Sequence, residues 1–142
     1  MSNGLLVLAM LVAAPEEKLK DGPKKLDAAA EVGDLSGFYT VKGLEVGGKK
    51  YGGIVTVIKQ ADVYVFQWTL TGGSTFIGIG IRQGDTVAVA WATATDKVVL
   101  KGVNWYRITV VGGRPRLIGK WASMPGNGQL NTENLTWLKE AE

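Results

Sequence analysis

From Gly37 onward, the chain alternates apolar and polar residues with a period of two, and glycine-rich turns interrupt the alternation at intervals of about ten residues. This pattern is typical of half-buried strands joined in an antiparallel meander. The sequence therefore predicts an all-β domain of about eight short strands in up-and-down order. Closure into a barrel is favoured because it removes the exposed edges of a flat sheet, and an open sandwich is the alternative.

Five two-residue turns set the expected pairing of the strands, because a two-residue loop fixes which residues face each other. They are Gly47-Gly48, Gln60-Ala61, Gly72-Gly73, Gln83-Gly84 and Gly112-Gly113. These turns bring opposite charges together across three hairpins, with Glu45 facing Lys50, Lys59 facing Asp62, and Arg82 facing Asp85.

Carrying these registers through the sheet assigns each strand residue to one of two faces. The predicted core face contains Phe38, Thr40, Leu44, Tyr51, Val55, Val57, Tyr64, Phe66, Trp68, Leu70, Ile77, Ile79, Ile81, Ala88 and Ala90. The outer face is also apolar, with Val41, Ile54, Val63, Val65, Phe76, Val87, Val89 and Trp91. Because an apolar surface of that extent is typical of an interface, the sequence predicts a homo-oligomer formed through the outer face. The alternative is that residues 15–34 fold back over it.

The N-terminal residues differ in composition from the strands. Residues 1–14 have no charged side chain and end an apolar run at Val12-Ala13-Ala14, which is typical of a signal peptide with a small-residue cleavage site. Residues 15–34 are charged, contain Pro and Gly, and predict a linker before a barrel domain at 35–140. The sequence thus predicts export to the periplasm or exterior, with no transmembrane segment after signal removal. A buried N-terminal segment is the alternative.

The absence of Cys and His from the 142 residues limits the available chemistry. The thiol nucleophile, the imidazole base and the usual zinc ligands are all missing. The sequence therefore predicts a protein that is not an enzyme and has no metal and no cofactor. One enzyme hypothesis remains, in which Tyr and Glu133 act in the lumen, and it requires Glu133 or an Asp to be desolvated inside the barrel.

Gly37-Phe38-Tyr39 on the first strand, the hairpin meander, and the late Gly119-Lys120-Trp121 resemble the calycin architecture shared by lipocalins and avidins. This resemblance covers residues 37–138 and implies a closed barrel. With the segment GDTVAVAW at residues 84–91, the pattern is also similar to small exported bacterial proteins. The polar residues by which avidins bind biotin have no counterparts here, so biotin is not predicted.

Polar and amphipathic side chains on the predicted core face are candidates for a small-ligand site in the lumen. They are Tyr64, Trp68, Asn104, Tyr106 and Trp121, together with Thr40 and Thr86. The alternative is that these side chains fill the lumen and satisfy one another.

The hairpin around Gly112-Gly113 predicts a basic stripe on the outer face. Trp105, Arg107, Arg114, Arg116 and Lys120 fall on that face, while Tyr106, Ile108, Val110, Leu117 and Trp121 point to the core. Guanidinium groups bind carboxylate, sulfate or phosphate, so an acidic glycan or an anionic surface is the expected partner. Nucleic acid is disfavoured because the net charge is only +3. A solvated outer face, with Lys120 resting on Trp105, is the alternative.

Two functional hypotheses lead. The sequence favours a non-catalytic, exported binding or interaction module of the bacterial envelope or exterior, because packing inside one barrel does not explain the apolar outer face. The alternative is a calycin-like barrel that binds a small ligand in an aromatic-lined lumen. An empty cavity in the lumen would favour the second hypothesis over the first.

Overall fold

A computed structural model describes residues 32–94 and 99–141. Each strand pairs antiparallel with the next, and the last pairs with the first, so the sheet closes into a barrel. This confirms the predicted fold class and excludes the open sandwich. The strands are β1 (Gly37–Leu44), β2 (Lys50–Gln60), β3 (Val63–Leu70), β4 (Thr75–Gln83), β5 (Thr86–Thr93), β6 (Lys101–Val111), β7 (Arg114–Met124) and β8 (Asn131–Lys139).

The predicted signal peptide, residues 1–14, and residues 15–31 of the predicted linker lie outside the described residues. Across the two described ranges, no helix is long and apolar enough to cross a membrane.

Glycines inside the barrel make room for its aromatic rings. A Cβ atom built on Gly78 would lie 3.0 Å from the Trp68 ring, and one on Gly80 would lie 2.8 Å from the Phe66 ring. Gly43, Gly102 and Gly119 are likewise covered by the rings of Tyr51, Trp91 and Tyr106. Because a narrow barrel cannot hold large side chains at every inward position, each ring packs over a glycine on a neighbouring strand.

The end of the barrel where β1 begins is closed by Leu35, which is fully buried. Its carbonyl oxygen accepts a hydrogen bond of 2.6 Å from the Tyr39 hydroxyl, and its amide donates one of 3.3 Å to the Tyr64 hydroxyl oxygen. Val32 packs against the same core, and the Gly33 carbonyl accepts a hydrogen bond from Arg82. The last residues of the predicted linker therefore contact the barrel.

Two of the predicted registers are wrong by one residue. The loop between β1 and β2 occupies residues 45–49, because Leu44 pairs with Lys50. Between β3 and β4, Thr69 pairs with Thr75, so five residues, 70–74, connect the last pair of this hairpin, although Leu70 still pairs with Gly53 of β2. Both loops contain five residues, an odd number, whereas the predicted two-residue turns contain an even number. The pairing of the flanking strands is therefore displaced by one residue.

The position of the Gly-Gly pairs explains this difference. In each five-residue loop the two glycines are the third and fourth residues, and not the two central residues of a two-residue turn. In the first loop, the Gly48 amide donates a 3.0 Å hydrogen bond to the Glu45 carbonyl, and the Glu45 amide donates a 2.8 Å bond to the Lys49 carbonyl. This makes Gly47 the third residue of a turn, and its φ of 100° is the value that a type II turn requires there. The second loop repeats these bonds.

A one-residue shift turns every side chain of a strand to the other face. The shift in the first loop therefore reverses the predicted faces of β1, and the shift in the second loop reverses those of β4 and β5. Contrary to the prediction, Phe38, Thr40, Leu44, Ile77, Ile79, Ile81, Ala88 and Ala90 face outward. Val41, Phe76, Val87, Val89 and Trp91 face the interior instead. The faces predicted for β2 and β3 are confirmed.

The other three turns preserve the predicted faces. The Gly112-Gly113 turn is confirmed, with Val111 opposite Arg114. The turns predicted at Gln60-Ala61 and Gln83-Gly84 lie one position later, which displaces the pairing by two residues and leaves the faces unchanged. The three predicted charge pairs are consequently wrong, because each of their basic residues faces an apolar or aromatic residue.

The outer face is apolar, as predicted, but with a different set of residues. A row on β4 is exposed to solvent, with Ile77 at 49%, Ile79 at 53% and Ile81 at 64%. These isoleucines stand beside Ala88 and Ala90, which are also exposed.

The corrected faces predict that one truncation lowers the free energy of unfolding strongly and that another barely changes it. Trp68→Ala removes a buried ring and should lower the free energy of unfolding by about 3 to 5 kcal/mol. Ile79→Ala removes an exposed side chain and should change it by no more than about 0.5 kcal/mol. Urea denaturation of dilute protein measures both. A large loss for Ile79→Ala, or none for Trp68→Ala, would contradict the observed registers.

Candidate functional site

The barrel end opposite Leu35 contains a cavity of about 700 Å³. It opens between the loops at 45–49 and 71–74, and Leu70, Leu100 and Ser123 form parts of its wall. Its volume lies within the range of about 300 to 1,000 Å³ that is usual for small-molecule sites. We refer to it as the open-end cavity.

Five aromatic side chains line the open-end cavity: Tyr51, Trp68, Phe76, Trp91 and Trp121. Four of them form a continuous chain of ring contacts around the wall. Trp121 lies 6.1 Å from Tyr51 and 6.0 Å from Trp91, and Phe76 lies 5.2 Å from Trp91, measured between ring centroids. The angles between these ring planes are 75°, 72° and 84°, so consecutive rings meet at corners.

Glu133 on β8 borders the cavity, although it is only 4% exposed. Its Oε1 accepts a hydrogen bond of 3.0 Å from the Tyr51 hydroxyl. Its Oε2 accepts bonds from Trp68 Nε1 at 3.3 Å, from Asn104 Nδ2 at 3.0 Å and from the Tyr106 hydroxyl. Four donors from three other strands therefore hold one carboxylate in the interior, as a buried polar group requires.

The network extends to the cavity wall through Asn104. Its Oδ1 accepts a 2.7 Å hydrogen bond from Trp91 Nε1, and its Nδ2 also donates to the Tyr106 hydroxyl oxygen at 2.5 Å. Trp121 Nε1 is buried near the Tyr51 hydroxyl but forms no hydrogen bond of normal geometry with any described residue.

Burial raises the pKa of the Glu133 carboxyl above its usual value of 4.5, although its four hydrogen bonds act in the opposite direction. Burial, together with the adjacent Glu133 carboxylate, also raises the pKa of Tyr51 and of Tyr106. Both hydroxyls therefore stay protonated at neutral pH and remain donors to the carboxylate.

The predicted lumen residues do not form one site. Trp68, Asn104 and Trp121 line the open-end cavity. Tyr106 is fully buried and donates to Glu133, while Tyr64 lies at the closed end beside Leu35. Thr40 and Thr86 are on the outer face, because the faces of β1 and β5 are opposite to those predicted.

Two further cavity residues follow from the corrected registers. Phe76 and Trp91 were assigned to the outer face, and only the odd-numbered loops place them inside. Glu133 has the same position in the alternation of β8 as the buried Leu135, which is the sequence signal for an inward carboxylate. Its desolvation meets the condition that the enzyme hypothesis requires, and that hypothesis stays untested.

The basic stripe has the register that the sequence predicts, with Trp105 opposite Lys120 and Thr109 opposite Arg116. Two of its arginines form ion pairs: Arg107 lies 3.7 Å from Asp85, and Arg114 lies 3.7 Å from Glu140. It is the Arg107 guanidinium, 5.7 Å from the ring centroid, that lies over Trp105. Anion binding by this stripe stays a prediction. The residues of this hairpin that were predicted to face the core are buried or half-buried, except for Val110, which is 36% exposed.

A second concavity, of about 930 Å³, lies on the outer face of the barrel. Its lining is almost entirely apolar, including Ile77, Ile79, Val103 and Met124, with Lys101 as its one charged residue. The open-end cavity is the better candidate for a specific ligand site, because it combines aromatic walls with convergent polar groups.

Glu133 predicts a pH dependence of stability. Because its pKa is raised on folding, the native state is favoured below the unfolded value of 4.5, and stability is lost as pH rises through the folded value. Glu133→Gln removes this titration. The free energy of unfolding of the variant, relative to wild type, should therefore rise between about pH 4 and about pH 7. Urea denaturation at both pH values measures the difference, and a constant or falling difference would contradict the assignment.

Comparisons with known proteins place the chain by its fold alone. No protein-family model matches it, and no curated protein matches it. Among solved structures, it is similar to the redesigned β-barrel mFAP1 bound to DFHBI, with a TM-score of 0.54, 17% identity, and coverage of 79% of this chain and 99% of that chain. EF1p2_mFAP2b bound to DFHBI has a TM-score of 0.47 and 17% identity, over 82% of this chain and 99% of that chain. The likeness to mFAP1 agrees with the closed barrel described above.

Proposed function

We propose that this protein binds a small, partly aromatic molecule in the open-end cavity. The observation that carries the proposal is the cavity itself: about 700 Å³ of space walled by aromatic rings, with a buried carboxylate at its border. A packed lumen would have filled this space with side chains. Apolar walls with a few convergent polar groups are the usual features of small-molecule sites.

The two ends of the barrel support this proposal. Leu35 and its hydrogen bonds close one end, and the opposite end leaves Trp68, Trp91 and Trp121 beside empty space. A barrel of eight strands is just wide enough to hold one small ligand among its side chains. The solved mFAP1 barrel, bound to DFHBI, is an example of a small molecule held by a protein of similar fold.

The test uses N-phenyl-1-naphthylamine, a neutral dye whose fluorescence rises in apolar surroundings. We expect the wild-type chain to bind the dye with saturation, and Trp121→Ala to weaken binding about tenfold, because an aromatic contact contributes about 0.5 to 1.5 kcal/mol beyond its buried area. Fluorescence titration measures the dissociation constants.

Trp105→Ala is the matched control, since Trp105 lies on the neighbouring strand but is on the outer face and 46% exposed. It should leave dye binding unchanged. A double variant, Ile79→Ser with Val103→Ser, tests the outer concavity in the same way. Loss of dye binding in that double variant, with full retention in Trp121→Ala, would place the dye outside the barrel and overturn the proposal.

We also propose that the protein is an exported interaction module that self-associates through its outer face. The exposed isoleucines of β4 favour this second candidate, because monomeric proteins seldom expose a contiguous apolar row of this kind. It is compatible with ligand binding, since the open-end cavity lies inside the barrel and the isoleucines lie outside.

Self-association makes a direct prediction for sedimentation. The chain from Pro15 onward should sediment as a dimer or a larger assembly at protein concentrations of tens of micromolar, and Ile79→Lys should shift it to monomer by placing a charge in the apolar contact. Analytical ultracentrifugation measures the mass. Lys120→Glu, a charge change away from the β4 row, serves as the control, and a wild-type protein that is monomeric throughout would exclude the assembly.

A further inference from the structure

We propose that the open-end cavity takes an organic cation whose nitrogen donates hydrogen bonds, such as an ammonium, amidinium or guanidinium group, placed between Glu133 and the aromatic wall. This inference rests on the proposed function, because it names the ligand class for the same cavity.

The first observation is a buried carboxyl group without a basic partner. All four groups that donate to Glu133 are neutral: two tyrosine hydroxyls, an indole and an amide. Among the described residues, no Lys or Arg forms a salt bridge with it. Removing a carboxylate from water is costly unless it is paired, and a cation in the adjacent cavity would supply that pairing.

The second observation is the unequal use of the two carboxylate oxygens. Oε2 accepts three hydrogen bonds, whereas Oε1 accepts only the one from Tyr51. Since an ionised carboxylate offers about two lone-pair positions on each oxygen, Oε1 retains the capacity to accept another donor. Glu133 borders the cavity, so an N–H group of the occupant can provide that donor.

The third observation is the arrangement of the rings. Tyr51, Trp121, Trp91 and Phe76 meet at angles between 72° and 84°, so their planes form corners around the cavity. The face of an aromatic ring carries negative electrostatic potential, and several rings enclosing one volume are a recognised way to bind an ammonium group. Tryptophan is the most effective of these rings, and three of the five cavity rings are tryptophan.

A metal ion does not fit this site as well as an organic cation does. Hard divalent cations take about six or more oxygen ligands, whereas Glu133 is the one buried carboxylate among the residues that line the cavity. Within the described residues, no group of three or more acidic side chains is placed to hold a metal.

Charges at the mouth do not reverse the preference for a cation. Glu45, Lys49 and Lys50 line the mouth, where Lys49 and Lys50 are exposed and Glu45 is half-buried. Water and salt screen charges at such positions, whereas Glu133 acts across the low-dielectric interior. The field at the base of the cavity is therefore set mainly by Glu133.

Three soluble probes of the same shape but different charge test the proposal: benzamidine is a cation, benzamide is neutral and benzoate is an anion. Each is titrated against the full chain with bound N-phenyl-1-naphthylamine at about pH 8, well above the ordinary carboxyl range. We expect benzamidine to displace the dye about tenfold more tightly than benzamide, and benzoate to be the weakest. In Glu133→Gln, which keeps the shape and removes the charge, the preference for benzamidine over benzamide should fall well below tenfold, because only the aromatic wall still favours the cation.

Trp105→Ala should retain the wild-type order of the three probes. If Glu133→Gln does not fold, the order measured with wild type still decides. Benzamide or benzoate displacing the dye as well as benzamidine does would overturn the cation and leave the small-molecule site intact. Failure of the dye and of all three probes to bind would overturn the proposed function as well.

Discussion

A carboxylate buried in a protein interior must receive hydrogen bonds from its surroundings, and this barrel meets that requirement with side chains from several strands. Glu133 on β8 is held by Tyr51 from β2, Trp68 from β3, and Asn104 and Tyr106 from β6. Glu133 is separated from its donors by 27 to 82 residues of sequence, so the network forms only when the barrel closes. It also fixes the orientation of rings that border the cavity, because two of the donors, Tyr51 and Trp68, are themselves cavity rings.

The glycine content is the steric counterpart of this network. Tyr51, Trp68 and Trp91 each pack over a glycine, at Gly43, Gly78 and Gly102 respectively, so the walls of the cavity depend on the absence of side chains beside them. At the closed end, Leu35 and Tyr39 complete the packing instead. The same eight strands therefore form a dense core at one end and an open cavity at the other.

Ligand binding and self-association would use separate surfaces of one sheet, because neighbouring residues of a strand point to opposite sides. On β4, Gly78 and Gly80 face the lumen, and the isoleucines between and beside them face solvent. An apolar outer face need not compete with an aromatic lumen. This division allows the small-molecule site and the interaction surface to exist on the same molecule.

The amino-acid sequence by itself determined the all-β class, the number of strands and their meander order, because alternation and turn residues are local signals. It also placed Trp68, Asn104 and Trp121 on the face that lines the cavity. It did not determine the faces of β1, β4 and β5, since these depend on whether the loops at 45–49 and 70–74 contain an odd or an even number of residues. The length of the loop between β3 and β4 decided that Phe76 and Trp91 lie inside, and closure of the barrel decided that four donors meet at Glu133. The contacts at Glu133 join residues far apart in the chain, so local sequence patterns could not predict them.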